Sequence, residues 1–457
     1  MREVGLKTRL LTIFDGFRES FWFRPTSYCI LAFPVALGML QVDELLSAAA
    51  GHGAWFVRDA SAAQKTLSFV SGTVITLMGI VLSITLVTIS MASSQFGSRL
   101  LRGFLADSIA DRLFGLLMGT SLYCFIILQQ IHLRENVSSA FVPQFSIAAA
   151  VVLGFGSIGM LIWFVHDTSL SIQAPRLIAN VAAELDSAVD RLFPDELTAD
   201  DINDRGFPAT EDCPDSRWTD AQDQSLSTFD IFPPADGYIE GIDLEDLTSV
   251  AANDDLVIKL RQRPGHFVCS TTPLATVFCG GQKSTEFQEQ LSGTIHGAFV
   301  IGTRRIPRQD IGCCIVEIVE IAVRALSPGI NNPFAAMNCI DRLGASLARL
   351  ASRRFPTGRH YDSEDHLRCV AMPVEFSGLL DDAFSQIRQY GSGSVAVCIR
   401  LIEALIMIAK GCRTQDRSEA IRQHADAISA AFFGSTPADI DVQAFQRRWN
   451  RLRDLLD

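Results

Sequence analysis

LSFVSGTVITLMGIVLSITLVTISMASS, residues 67–94, decides what kind of protein this is. It carries no formal charge and is long enough for a bilayer-crossing helix, which needs ~20 apolar residues. Thr73, Thr76, Ser83, Ser90 and Ser94 are offset by 3, 7, 7 and 4 positions, a spacing that places them on one helical face. Leu77, Leu82, Leu86 and Ile89 lie largely off that stripe. A hydroxyl stripe in lipid needs a partner: another helix, its own backbone, or water. Gly72, Thr76, Gly79 and Ser83 also form a small-residue ladder of the kind that lets helix backbones approach closely. Packing and pore lining are both open at this point, and they coincide if identical subunits pack around an axis. In that arrangement Thr73, Thr76, Ser83, Ser90 and Ser94 line the path, and Gln95, Arg99 and Arg102 ring its cytoplasmic mouth, where arginine favours anions.

Three further apolar stretches flank this one. At 457 residues and a mean hydropathy of +0.23, the chain is too long for one average domain and too apolar for an ordinary soluble protein. Candidate spans are residues 27–46, 66–92, 113–131 and 145–165. The spans are read as free of carboxylates, so a proton-coupled relay is not expected. The first begins too late for a typical cleaved signal peptide and is expected to be retained. The lead, residues 1–26, carries Arg2, Lys7, Arg9, Arg18 and Arg24, and the second loop carries Arg99 and Arg102 with Arg112 close behind. The intervening loops have only Arg58 and Lys65, and Arg134. With an even number of spans, that bias places both termini of a multi-pass membrane protein in the cytoplasm. Within the lead, Leu6, Leu10, Ile13, Phe14, Phe17 and Phe21 recur at helical spacing beside the basic residues. They suit an amphipathic helix on the membrane surface, or equally an extended end of the first span.

Beyond residue 166 the composition is that of a water-soluble domain. Residues 167–194 read as a connecting helix with apolar Leu177, Ile178, Val181, Leu185, Val189 and Leu192. Between Asp195 and Asp230 eleven carboxylates face only Arg205 and Arg217, so 195–233 reads as an acidic disordered linker. This stretch contributes most of the net charge of -12, and no basic stripe points to nucleic acid. Residues 234–300 alternate apolar and polar positions between Pro-Gly turns, as a small β-barrel-like module would. Residues 301–457 have helical periodicity throughout. The expected fold is therefore an α-helical polytopic membrane domain of four transmembrane helices (27–166) joined to a cytosolic α+β domain with a helical C-terminal part. The eleven cysteines contain no CxxC pair, and His266, His296 and His360 have no partner at ligand spacing. Neither a disulfide framework nor a metal or other cofactor is expected.

Two polar groups stand out in the soluble half. Arg304, Arg305, Arg308 and Asp310 form its densest charged cluster, suited to phosphate or anionic headgroups, or to salt bridges between domains or subunits. Ser327 to Pro333 reads SPGINNP, a capped reversal between two helices in which Asn332 precedes a proline at the first helical position. Alternatively Ser327, Asn331 and Asn332 form a polar pocket with Arg324 one turn earlier. A single helix separates the two groups, so within one subunit they belong to its opposite ends and meet only across a subunit boundary or if the chain folds back. No GxSxG, P-loop or HExxH stands in a suitable context, and no enzyme is expected.

Three segments together resemble one family: LVTISMASSQFGSRLLRGFLAD (86–107), ADGYIEGID (235–243) with RPGHFV (263–268), and IGTRRIPRQDIG (301–312) followed by RALSPGINNPFAAMNCIDRLG (324–344). They are similar to the bacterial predicted membrane proteins grouped as domain of unknown function 2254. Asn332 stands where that family usually has Asp, and Gly97-Ser98 replace a Ser/Gly-Pro pair before Arg99. The resemblance implies topology and location, not an activity. The function expected from the residues is an oligomeric inner-membrane protein, ion-channel-like or transporting, with a regulatory cytosolic domain. The alternative is a non-conducting scaffold or sensor whose cytosolic domain binds a partner or a small anionic ligand. Membrane lipid, further copies of the chain and inorganic ions are the expected partners.

Overall fold

The structure is a computed structural model that describes residues 23–50, 60–96, 109–135, 142–171, 174–194, 226–281 and 283–457. The amphipathic lead up to residue 22, Arg99, Arg102 and most of the acidic linker lie outside the described residues. The chain divides into two compact units, Met1–Arg176 and Leu177–Asp457.

The first unit holds four helices, α1 (Phe23–Ala50), α2 (Ala60–Phe96), α3 (Ile109–Glu135) and α4 (Gln144–Ser171). Each contains a stretch long and apolar enough to cross a membrane. Half of the span in α3 is buried within the chain against 22% in each of the others, so α3 is the hub on which the other three pack. Sequence explains the closeness of one contact. Gly115 and Gly119 are one turn apart on α3, and a Cβ on Gly115 would come within 2.7 Å of the Tyr28 ring of α1. A Cβ on Gly119 would lie 3.2 Å from the Tyr28 carbonyl oxygen. This small-xxx-small pair, rather than the ladder on α2, makes the intimate crossing inside the chain.

Asp43 corrects the reading of carboxylate-free spans. It is 4% exposed near the end of the first span, Phe23–Leu45. Its Oδ1 accepts the Phe145 N–H at 2.8 Å, and its Oδ2 accepts the Ser146 N–H at 2.9 Å and the Ser146 hydroxyl at 2.6 Å. Those amides belong to the first turn of α4, whose N–H groups have no partner within the helix. The Tyr123 hydroxyl of α3 donates to the Ser146 carbonyl at 3.0 Å. One carboxylate of α1 thus caps α4 across the bundle.

The second unit opens on α5 (Ala174–Leu192), which buries Ile178, Val181, Leu185 and Val189 along one side. Its polar side meets α9 (Pro333–Ala351): Asp186 accepts from the Ser346 hydroxyl at 2.7 Å, and Asp190 pairs with Arg349 at 2.8 Å and Arg353 at 3.0 Å. The strands are β1 (Leu226–Ile231), β2 (Gly237–Ile242), β3 (Leu256–Leu260), β4 (Phe267–Val268), β5 (Ala275–Gly280), β6 (Phe299–Gly302), β7 (Arg359–Tyr361) and β8 (Leu367–Val370). They form two sheets, β1-β5-β3-β8-β7 and β4-β2-β6, and no closed barrel is found among the described residues. All pairings are antiparallel except β3 with β8. Two boundaries therefore move. Strand β1 lies inside the stretch expected as disordered linker, and β7 and β8 come from the part expected to be wholly helical.

Helices α6 (Leu244–Asn253) and α7 (Thr285–Gly297) cover the sheets, contributing Leu247, Ala251, Leu291 and Ile295 to a core with Ile239, Ile258 and Val277. The remaining helices are α8 (Ile311–Ala325), α10 (Phe376–Gly391), α11 (Val395–Ala409), α12 (Gln415–Gly434) and α13 (Asp439–Leu456). Val397, Leu401, Leu405 and Ile408 of α11 are fully buried, so this strongly apolar helix packs in the core of the unit.

Candidate functional site

The hydroxyl stripe of α2 resolves into two parts. Leu67, Val74 and Val81 are buried against the other helices. Thr76, Ser83 and Ser90 each follow one of them by nine positions, ~2.5 turns at 3.6 residues per turn, and so lie diametrically opposite. All three are exposed, as are Gly72 and Gly79, and a Cβ on either glycine would meet nothing within 4 Å. Thr73 is half-buried and sits round toward the packed side. Its hydroxyl donates to the Phe69 carbonyl at 2.8 Å and that of Thr76 to the Gly72 carbonyl at 2.9 Å, so both are satisfied by their own helix. Ser94 and Gln95 continue α2, but their side chains lie outside the described residues, as do Arg99 and Arg102 entirely. The ladder read from the sequence is thus an outward surface of α2 and is not used for packing among the described residues.

In the second unit the fold brings separate motif segments to one place. Asp310 is buried and caps α8, accepting from the Cys313 N–H at 3.3 Å. Arg305 grips the same carboxylate with two donors, Nε to Oδ2 at 2.7 Å and Nη2 to Oδ1 at 3.0 Å. Burial opposes the Arg305 charge, but the bonds and field of Asp310 outweigh it and raise its pKa. The RPGH turn packs against this pair: Gly265 adopts φ +91°, and a Cβ there would collide with Asp310 Oδ2. That turn is held to β2 by the Gly265 N–H on the Ile239 carbonyl at 2.8 Å and the Ile239 N–H on the His266 carbonyl at 3.0 Å. Gln309 completes the junction where β2 bulges past Glu240, its amide exchanging bonds of 2.8 and 3.1 Å with the Ile242 backbone.

His266 has one assignable tautomer. Arg263 Nε can only donate, at 3.0 Å to His266 Nε2, so the proton of the neutral ring is on Nδ1, 2.8 Å from Gln262 Oε1. Burial lowers its pKa, Arg263 and Arg305 add to that, and Asp310 opposes them. Asp382 of α10 faces the same group; burial keeps its pKa above the ordinary carboxylate value despite Arg305 and Arg263. The cluster is an internally paired electrostatic knot, with Arg305 already committed to Asp310. Arg304 and Arg308 are exposed, and the Arg308 carbonyl accepts from Arg191 of α5 at 3.3 Å. The sequence reading included Arg305 and Asp310 but missed Arg263, Gly265, His266, Gln309 and Asp382. The Pro-Gly dipeptide and the Gln beside Asp310 were the available signals; nothing local pointed to Asp382.

The SPGINNP turn sits at the far end of α8, about 22 Å away at 1.5 Å per residue over its 15 residues. Ser327 Oγ donates to the Arg324 carbonyl at 2.6 Å, and the Asn332 side chain caps α9 by accepting from Ala335 N–H at 3.2 Å. Asn331 takes φ +45° and Arg324 pairs with Glu320 at 3.8 Å. Asn331 and Asn332 are exposed, and these bonds make the turn a capped reversal between α8 and α9. Within the chain it does not meet Arg305 or Asp310. Every described cysteine is free, and no cluster of three or more potential metal ligands occurs among the described residues.

The profile of the family described as predicted membrane protein, domain of unknown function 2254, matches residues 18–407. An uncharacterised protein of Mycobacterium bovis is 29% identical over 438 residues, covering 94% of this chain and 79% of the relative. An uncharacterised protein of Mycobacterium tuberculosis matches with the same identity and coverage. No solved structure matches. The matched region takes in all four apolar helices of the first unit and the motif segments that converge on Asp310 in the second, and the chain belongs to the domain of unknown function 2254 family of predicted membrane proteins.

Proposed function

We propose that several copies of the chain assemble with α2 turned toward a common axis. In that assembly Thr76, Ser83 and Ser90, bordered by Thr73 and Ser94, line a polar path for inorganic ions or another small solute across the bacterial inner membrane. Both termini and the second unit lie in the cytoplasm in this reading, where the second unit regulates the path; no enzymatic step is part of it. The observation that carries it is the outward stripe of Gly72, Thr76, Gly79, Ser83 and Ser90, set opposite the buried face of α2. A face of glycines and small hydroxyls offers lipid tails little contact, and such faces characteristically meet another helix. Phe69, Ile75, Leu82, Leu86 and Val87, each at least half exposed or nearly so, flank the stripe and suit lipid.

A second reading is a non-conducting scaffold or sensor that assembles through the same stripe. The Thr76 bond to its own backbone favours it, since that hydroxyl then needs no water. One experiment separates the two. The purified chain is reconstituted in lipid nanodiscs for mass measurement and in planar bilayers for conductance. The channel reading expects an oligomer whose conductance changes in Ser83→Trp and persists in Ser83→Ala. Monomers throughout would end both readings, while oligomers silent across voltage, tension and pH would leave the scaffold.

A further inference from the structure

One of the two bonds that hold the His266 ring cannot survive its protonation. The ring is half-buried in the RPGH turn, where Arg263 Nε donates to His266 Nε2 at 3.0 Å and Nδ1 donates to Gln262 Oε1 at 2.8 Å. Both bonds together suit only the neutral ring. A proton added at Nε2 turns the acceptor of Arg263 into a second donor and sets two cations face to face. The surrounding charges do not replace the lost bond. Arg305, from the loop after β6, adds positive charge. Asp310 at the start of α8 attracts an imidazolium, but its oxygens already accept from Arg305 and the Cys313 N–H. Asp382 of α10 is exposed and feels the charge of both arginines. The same turn makes two backbone bonds to β2, Gly265 N–H to the Ile239 carbonyl and Ile239 N–H to the His266 carbonyl, and it sets Gly265 against Asp310.

We propose that His266 is a proton-operated latch between the sheets and the helices of the second unit. Protonation at Nε2 releases Arg263, loosens the RPGH turn from β2, and withdraws Gly265 from the carboxylate that caps α8. Histidine is the side chain suited to such a device, since modest changes in its surroundings set where it gains its charge. Burial, then Arg263 and Arg305, lower the His266 pKa from its ordinary 6.5, and Asp310 opposes them. The closed turn therefore binds the proton more weakly than the unfolded chain does. Its stabilisation is complete above pH 6.5 and is lost as the pH falls below that value. The latch lies wholly within the second unit and operates whether or not the chain conducts.

The test is hydrogen exchange of the full chain in lipid nanodiscs, read by mass spectrometry. Exchange at the imidazole C2 position of the peptide containing His266 gives its pKa, expected below 6.5. Backbone exchange is then compared one pH unit below that pKa and two units above it, after correction for the intrinsic pH dependence of amide exchange. The amides of Gly265 and Ile239 are expected to lose protection at least tenfold in acid, while the ladder between β3 and β5 stays protected. His266→Gln, whose side-chain carbonyl accepts from Arg263 and does not titrate, should keep both amides protected at either pH. His266→Lys, which carries the charge permanently, should lose their protection even at the higher pH with the β3–β5 ladder intact. A His266 pKa at or above 6.5, unchanged protection in the wild-type chain, or an equal loss in His266→Gln overturns the latch.

Discussion

Gly265 sits where two requirements coincide: a backbone with φ +91°, which favours glycine, and a carboxylate oxygen of Asp310 where a Cβ would be. Gly265→Ala therefore strains the turn and pushes on the residue that caps α8. A cost of roughly 1–3 kcal/mol is expected from the backbone alone, and displacement of the Arg305 pair adds to it. A thermal melt of the full chain followed by circular dichroism should show a clearly lowered midpoint. An unchanged midpoint would mean the RPGH turn does not press on Asp310 as described. The Pro-Gly turn could be read from the chain, as could the cap role of Asn332 before Pro333. The partner of Gly265 could not, because Asp310 lies far along the sequence and arrives only when β2, the turn and α8 are assembled.

Among the elements, α2 and α3 carry comparable small-residue ladders with different uses. A Cβ on Gly115 or Gly119 of α3 would press on Tyr28 of α1, whereas one on Gly72 or Gly79 of α2 would meet none of the described residues within 4 Å. Gly115→Leu or Gly119→Leu should destabilise the subunit itself by about 1–3 kcal/mol, the usual cost of overpacking. Gly72→Ala and Gly79→Ala should leave subunit stability equal or slightly raised, since alanine exceeds glycine in helix propensity by up to ~1 kcal/mol. Their larger counterpart, Gly79→Leu, should lower the oligomer fraction in a detergent cross-linking assay without changing the melt. If Gly79→Leu lowers the melting point as Gly115→Leu does, α2 packs through its stripe within the subunit. The α2 ladder was read from the sequence and the Gly115–Gly119 pair was missed; which of them meets a neighbour was not legible, since spacing marks a face and not its occupant. Strands β7 and β8 were missed for a related reason. They are short, and β8 pairs in parallel with β3 across a long interval of chain, which local alternation does not announce.

Across the whole molecule, Asp43 and the α4 first turn belong to the same end of the helical bundle. That agrees with an up-and-down path through four spans. Reporter fusions after Glu135 and after Asp457 should report opposite compartments; a shared compartment would refute the four-span topology. The separation of Arg305 from the SPGINNP turn by the length of α8 also changes which residues test an intersubunit contact. Arg305 is bound to its own Asp310, so its loss first damages its own subunit, and exposed Arg304 and Arg308 are the informative probes. Length, hydropathy and helical periodicity determined the four apolar helices and the mainly helical character of the C-terminal part of the second unit. Those depend on residues within a few turns of one another. Tertiary structure decided that the α2 stripe faces outward, that the sheets stay open, and that the motif segments converge on Asp310. These outcomes depend on which distant surfaces bury each other, a choice made by the balance of packing over the whole chain.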